Sequence, residues 1–107
     1  MASVSKPEPN VLKLVGELDL HESQNVREKL DSLIQKKAPK ILVDLSRLTY
    51  IDSSGIAIFI DAMRRVQGYG GKLSFFGLHD TVRNIFEVAR LDQVFAIYPD
   101  KKSALTG

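Results

Sequence analysis

The chain has 107 residues, of which 44% are hydrophobic and 26% are charged, and it contains no cysteine. That length supports one domain, and the lack of cysteine excludes disulfide frameworks, thiolate nucleophiles and the usual structural zinc sites. Fifteen Lys and Arg against thirteen Asp and Glu leave a formal net charge of +2, too near balance to bind polyanions by charge alone. The sequence has neither a membrane-spanning apolar stretch nor a signal peptide, so we expect a small, soluble, cytoplasmic domain.

The first part of the chain predicts two strands and a helix. Residues 1–10 include two prolines and allow at most a short edge strand over about residues 2–6. Residues 11–18 alternate between two faces, which is typical of a strand. Asp19 and Glu22 have the spacing of a helix capping box. The helix that follows has an apolar stripe and is expected to end at Ala38-Pro39. Its stripe consists of Val26, Leu30, Leu33 and Ile34.

The second part of the chain continues the alternation of strands and helices. Residues 40–45 predict a buried central strand, residues 46–52 a loop, and residues 72–78 and 94–98 two further strands. The second helix is expected to end in the glycine-rich segment 68–71 with a left-handed glycine, and its stripe consists of Ile56, Phe59, Ile60, Met63 and Val66. Asp80 is predicted to cap a third helix, whose inward residues are Val82, Ile85, Phe86 and Ala89. A helical stub follows Asp100.

This order of elements predicts an α/β fold in which helices cover a mostly parallel sheet of four or five strands. In such sheets the loops after the carboxyl ends of the strands lie along one edge. Residues 19–21, 46–54 and 78–80 should therefore gather there, and a functional site should be built from them.

The segment Asp52-Ser53-Ser54-Gly55 is the most informative part of that edge. It stands at the predicted start of the second helix, where backbone amides are unpaired and a negative group gains about 0.3–1 kcal/mol from the helix dipole. The position therefore tolerates a phosphoserine. Capping alone is the commoner role of such a segment, with Asp52 or Ser53 as the cap and Gly55 relieving a tight turn. Composition and spacing leave both interpretations open.

Three segments give the chain a resemblance to a known family. They are residues 16–19 (GELD), 44–46 (DLS) and 51–56 (IDSSGI), and residues 71–77 add to them. With these the chain resembles the STAS domain of the bacterial anti-sigma factor antagonist family over roughly residues 11–105. The resemblance implies a single STAS domain over residues 1–107.

The resemblance also implies a function and its site. In that family an anti-sigma factor that is also a serine kinase phosphorylates the second serine of the motif, which is Ser54 here. The unphosphorylated antagonist binds the kinase and frees the sigma factor. The phosphate adds about −1.5 to −2 charges and dissociates the complex, and a metal-dependent serine phosphatase resets it. The implied partner-binding residues are Asp19, Ser46, Asp52, Ser53, Gly55 and Ile56. For Asp19, capping the first helix is the alternative role.

Other kinds of site find less support in the sequence. A hydrolase would need a base beside Ser54, for which His21 and His79 are candidates, but no Gly-x-Ser-x-Gly elbow is present. Segment 68–71 follows a helix, unlike phosphate-binding glycine loops. Asp44 and Asp52 lack the companion ligands of a metal loop. Basic residues are scattered over separate elements, so direct nucleic-acid binding is not expected. We therefore expect no catalysis, cofactor, metal or membrane contact.

Two further interpretations keep the same fold. STAS domains also serve as regulatory subunits of transporters, although those usually lack the Asp-Ser-Ser-Gly acceptor. A kinase-controlled switch can also direct an output other than sigma release. The sequence does not separate these outputs, because the output lies in the partner.

Overall fold

The strands form one mixed sheet. A computed structural model describes residues 3–8 and 10–107. The elements are β1 (Ser3–Glu8), β2 (Val11–Leu18), α1 (Leu20–Gln35), β3 (Lys40–Ile51), α2 (Ser53–Gly68), β4 (Lys72–Phe76), α3 (Asp80–Val88), β5 (Ala96–Tyr98) and α4 (Lys101–Thr106), with a 3₁₀ turn at Leu91–Gln93. The strand order is β1-β2-β3-β4-β5, with β1 antiparallel to β2 and the other pairs parallel. The predicted α/β class and mostly parallel sheet are confirmed. An edge strand before residue 10 is also confirmed, but it runs to Glu8, beyond the predicted end near residue 6. Residue 2 lies outside the described residues.

Two cores lie on opposite faces of the sheet. On β3, Ile41 and Val43 point into the larger core, whereas Leu42 between them points into the smaller one, as the alternation of side chains along a strand requires. The larger core receives the buried side chains of α1, α2 and α3. The smaller core is closed by α4 through Ala104. The predicted packing of the three long helices against the sheet is confirmed.

An aromatic cluster ties α2 and α3 to β4. The ring of Phe75 lies 5.0 Å from that of Phe59, 6.1 Å from that of Phe86 and 4.7 Å from that of Phe95, measured between centroids. These separations fall within the range in which aromatic pairs attract. The cluster fixes α2, whose first turn carries the Asp-Ser-Ser-Gly segment, on the sheet.

The third strand is longer than predicted. Residues 46–52 were expected to form a loop, but β3 continues to Ile51, and β2 pairs with it as far as Leu18 opposite Ile51. The register shifts twice, and each shift places an extra residue on β3. Such bulges change which residues face inward. Buried residues consequently recur every three positions, at Leu45, Leu48 and Ile51, which hides the strand's usual period of two.

The helix ends differ from prediction in detail. Oδ1 of Asp19 accepts a hydrogen bond from the amide of Glu22 at 2.9 Å, so half of the capping box is confirmed, but the Glu22 carboxylate bonds the Asn25 side chain at 3.4 Å instead of returning to Asp19. The first helix ends at Gln35, earlier than Ala38-Pro39, because Lys37 adopts a left-handed conformation with φ 53°. The predicted left-handed glycine after α2 is confirmed at Gly70.

Four details of the last third of the chain also differ from prediction. The cap of α3 is His79 rather than Asp80, which is instead the first helical residue. Because the helix stops at Val88, Ala89 is exposed instead of inward-facing. The fourth strand ends at Phe76 because Gly77 turns the chain with φ 78°. The fifth strand begins only at residue 96, since the amides of Val94 and Phe95 both donate to the carbonyl of Leu91 at the end of the 3₁₀ turn.

The helical stub after Asp100 is confirmed as α4. The Asp100 carboxylate caps it by accepting from the amide of Ser103 at 2.8 Å. The lysine Nζ of Lys40, at the start of β3, donates to the backbone carbonyl of Leu105. Within residues 3–8 and 10–107, no helix is long and apolar enough to cross a bilayer.

Candidate functional site

The start of α2 is shaped by the carboxylate of Asp52. Its backbone is extended, and its Oδ1 accepts from the amide of Ser54 at 2.9 Å and from the amide of Gly55 at 3.3 Å. Asp52, and not Ser53, is therefore the helix cap. Ser53 is the first helical residue and is exposed, whereas Ser54 is the second and is half-buried. The two serines of the motif thus differ in solvent exposure.

Gly55 allows the first turn of α2 to close on the ends of two strands. A Cβ at this position would lie 2.8 Å from Cγ1 of Ile51 and 2.8 Å from Cδ2 of Leu18, both fully buried. The amide of Asp52 also donates to the Leu18 carbonyl at 3.1 Å. Residues on either side of the serines are consequently fixed to the main core, and the segment is a rigid corner rather than a free loop.

The hydroxyl of Ser54 is not used by the fold. Among the hydrogen bonds of the described residues, none involves Oγ of Ser54, and its amide is the group that Asp52 engages. Chemically, this hydroxyl is a nucleophile held at the positive end of a 16-residue helix. A group transferred to it would be anchored on a fixed backbone.

Asp19 lies beside this corner. Asp19 and Asp52 line one shallow groove together with Leu20, His21 and Gln24. The predicted meeting of residues 19–21 with the start of α2 is therefore observed. The groove carries two carboxylates, and no lysine or arginine of residues 10–107 lines it. Asp19 also caps α1, so the capping role and a place at the site coexist in one residue.

Ser46 occupies a different part of the edge. It lies within β3, its amide donates to Oδ1 of Asp44 at 2.9 Å, and its carbonyl contacts Nε2 of His79. A Cβ at Gly77 would lie 3.0 Å from Cβ of Ser46. Because residues 46–51 are extended strand, about 15–20 Å of chain separates Ser46 from Asp52. Residues 78–80 thus contact β3 at Ser46, where its extension beyond residue 45 begins. The partner-binding role of Ser46 stays a prediction.

The remaining candidate residues are Ile56 and the two histidines. Ile56 is half-buried and packs against the main core, and its amide donates to the Asp52 carbonyl at 3.1 Å. His79 is engaged with the carbonyl of Ser46, whereas His21 lies in the groove near Asp19. No hydrogen bond of the described residues joins either histidine to Ser54. In the same part of the chain, no three acidic or histidine side chains are grouped as metal ligands.

The sequence interpretation missed two exposed apolar side chains at this edge. Leu20 is 69% exposed in the first turn of α1, and Tyr50 is 45% exposed near the end of β3. Tyr50 and residues of α3, including the half-buried Ile85, line a second groove. The signal for Leu20 was available, because it lies off the apolar stripe of its helix. The exposure of Tyr50 was missed because residues 46–52 were wrongly predicted to form a loop.

Comparison with known proteins identifies the family. The family model of the STAS domain matches residues 2–104. An anti-sigma F factor antagonist from Paenibacillus polymyxa is 29% identical over 97 residues, which cover 90% of this chain and 83% of that protein. Among solved structures, an anti-sigma factor antagonist from Mycobacterium paratuberculosis has a TM-score of 0.84 at 20% identity, covering 99% of this chain and 91% of its own.

A further structure with the same fold is that of the Bacillus cell fate determinant SpoIIAA in its phosphorylated form. It has a TM-score of 0.70 at 22% identity and covers 99% of this chain and 97% of its own. Its fold and that of the mycobacterial protein agree with the five-stranded sheet and four helices described above. Together with the family match across nearly the whole chain, these observations establish that the protein belongs to the STAS domain family.

Proposed function

We propose that this protein is an anti-sigma factor antagonist that switches partners when Ser54 is phosphorylated by an anti-sigma serine kinase. The observation that carries the proposal is the unused hydroxyl of Ser54 in the first turn of α2, on a corner that Asp52 and Gly55 hold rigid. The relatives named as anti-sigma factor antagonists support the same function. The protein acts as a substrate and a switch.

The chemistry of the phosphorylation is a simple phosphoryl transfer. Oγ of Ser54 attacks the γ-phosphorus of ATP, the bond from that phosphorus to the bridging oxygen breaks, ADP leaves, and the hydroxyl proton passes to a base of the kinase. The antagonist contributes only the position of the attacking hydroxyl. Its rigid helix start holds Oγ in a fixed direction, which lowers the entropic cost of alignment in the kinase site.

The phosphate is tolerated by the fold and disfavoured at an interface. The helix dipole stabilises the added dianion by about 0.3–1 kcal/mol, which counters part of the repulsion from the neighbouring Asp52 carboxylate. At a closely packed interface the same dianion must lose its water, and the cost exceeds the gain unless a full set of donors replaces that water. The kinase complex therefore dissociates after phosphorylation while the antagonist stays folded.

The proposal includes a cycle in the cytoplasm, where ATP and the kinase are present. A metal-dependent serine phosphatase hydrolyses the phosphoserine and regenerates the binding-competent form. Sigma release follows if unphosphorylated antagonist displaces sigma factor from the kinase. Adding the unphosphorylated protein to a preformed kinase–sigma complex and measuring free sigma factor tests this output; a kinase that binds the antagonist and retains sigma factor would indicate another output.

Intact-mass spectrometry tests the site. The wild-type protein, incubated with the purified anti-sigma kinase of its own organism and Mg·ATP, should gain one phosphoryl group. The matched pair of variants is Ser53→Ala and Ser54→Ala, which remove neighbouring hydroxyls from one helix turn. Ser53→Ala should be phosphorylated and Ser54→Ala should not. Phosphorylation of Ser54→Ala at the wild-type rate would refute the assignment.

A second experiment tests the switch. Ser54→Asp places a negative charge at the acceptor and should lose binding to the kinase, measured by calorimetry, while its circular dichroism spectrum stays that of the wild type. Ser53→Asp adds the same charge at the exposed neighbour and serves as the control. A natively folded Ser54→Asp variant that binds the kinase as tightly as the wild type would contradict the partner switch.

A further inference from the structure

From the surface beside Ser54 we infer that Leu20 is the apolar anchor through which this chain selects its kinase. The inference rests on the proposed function and adds the residue that determines partner choice. Leu20 is 69% exposed, and it lines the same groove as Asp19 and Asp52. Of the residues 10–107, the other large apolar side chains of high exposure are Tyr50, Val88, Val94 and Leu105. None of these four lines that groove.

The first turn of α1 presents Leu20 on a fixed backbone. Asp19 caps the turn, and its carbonyl accepts from the amide of Ser23 at 2.9 Å. Oγ of Ser23 in turn donates to the carbonyl of Leu20 at 2.8 Å, and Ser23 is buried. The backbone of Leu20 therefore loses little further freedom when a partner covers the side chain. Preorganisation of this kind favours binding because less ordering entropy is lost when the complex forms.

The charge of the groove favours the kinase over other occupants. Among the described residues, the acidic or basic side chains that line the groove with Leu20 are the carboxylates of Asp19 and Asp52 and the imidazole of His21. A kinase that transfers a phosphoryl group to the adjacent Ser54 carries cations around its nucleotide, because those cations stabilise the transferring group. We therefore assign to this surface a kinase face with an apolar pocket for Leu20, flanked by basic side chains opposite the two aspartates. Opposite charges at the rim fix the register of the complex.

Steady-state phosphorylation kinetics test the inference. Each anti-sigma serine kinase of the organism is purified and assayed singly with Mg·ATP and increasing concentrations of the antagonist. Leu20→Ala should raise KM for the cognate kinase about ten-fold and leave kcat unchanged, because the removed carbons contribute to binding alone. Leu20→Met keeps the apolar volume and should restore KM to within about two-fold of wild type. A structural role of Leu20 would instead appear as reduced thermal stability.

Val88→Ala is the matched control. Val88 is 77% exposed at the end of α3 and does not line the groove, so its truncation should leave KM unchanged. Equal KM values for Leu20→Ala and Val88→Ala, with normal phosphorylation of the wild type at Ser54, would overturn the anchor and leave the proposed function standing. If none of the kinases phosphorylates the wild type, the proposed function fails and the anchor fails with it. The two failures are therefore distinguished by the wild-type reaction.

Discussion

Replacing Gly55 by alanine should destabilise the protein although alanine is the better helix former. The added Cβ would lie 2.8 Å from Ile51, and 2.8 and 2.9 Å from two atoms of Leu18, closer than real Cβ atoms approach other heavy atoms. Both neighbours are fully buried core residues, so neither can move without disturbing its own packing. Overpacking of this kind costs about 1–3 kcal/mol, against a helix preference of at most about 1 kcal/mol. With the full helix preference subtracted, we expect a net loss of up to about 2 kcal/mol.

Urea denaturation of Gly55→Ala and Gly68→Ala measures this difference. Gly68 ends the same helix, and a Cβ there would meet no atom within 4 Å, so its substitution should leave stability unchanged or raise it slightly. The free energy of unfolding should therefore fall for Gly55→Ala alone. If Gly55→Ala is as stable as Gly68→Ala, the close packing of α2 against β2 and β3 is refuted. The close packing also predicts that Ser54 of Gly55→Ala is phosphorylated more slowly than Ser54 of the wild type. Phosphorylation of that variant at the wild-type rate would likewise contradict it.

Three further substitutions probe separate parts of the structure. Asp52→Ala removes the cap of α2 and should lower the free energy of unfolding by about 1–2 kcal/mol, with Asp52→Asn close to wild type; equal stability of the two variants would contradict the capping role. Phe75→Ala removes the ring that contacts three others and should cost about 3–5 kcal/mol by thermal or urea unfolding, and a loss below 1 kcal/mol would be inconsistent with the aromatic core. The hydrogen bond from the amide of Ser103 lowers the pKa of Asp100, so its stabilisation of α4 is present above the unfolded pKa of about 3.9 and is lost as pH falls through the lower folded value. Below about pH 4, amide hydrogen exchange in α4 of the wild type should become faster relative to the intrinsic rate of unprotected amides. An equal pH response of α4 in Asp100→Asn would argue against the cap.

The sequence allowed the prediction of most elements because local rules and tertiary packing agree there. Asp19 and Asp52 cap helices as their side-chain chemistry favours, and the glycine-rich segment after α2 takes the left-handed conformation at Gly70. Local rules failed where long-range pairing decided the outcome. The extension of β3 beyond residue 45 depends on β2, and two bulges conceal its pattern from any reading of periodicity.

The candidate site was predictable in part for the same reason. Asp52 and Gly55 follow from local capping and turn chemistry, and the structure gives both a definite geometric role. Ser46 illustrates the limit of a short motif, because its neighbours in space are Gly77 and His79, which lie far along the chain. The exposure of Leu20 was predictable from the sequence, because Leu20 lies off the apolar stripe of α1 that faces the core.

The rigid corner before α2 has a consequence for the speed of signalling. The amide of Asp52 donates to the carbonyl of Leu18, and Gly55 is in close contact with the core. Under the proposed function, no segment then has to fold or unfold when Ser54 gains or loses its phosphate. A switch of this design changes its surface and keeps its shape. Its response time is then set by encounters with the kinase and the phosphatase and by their turnover, so a cell can tune the response through the abundance of those two enzymes.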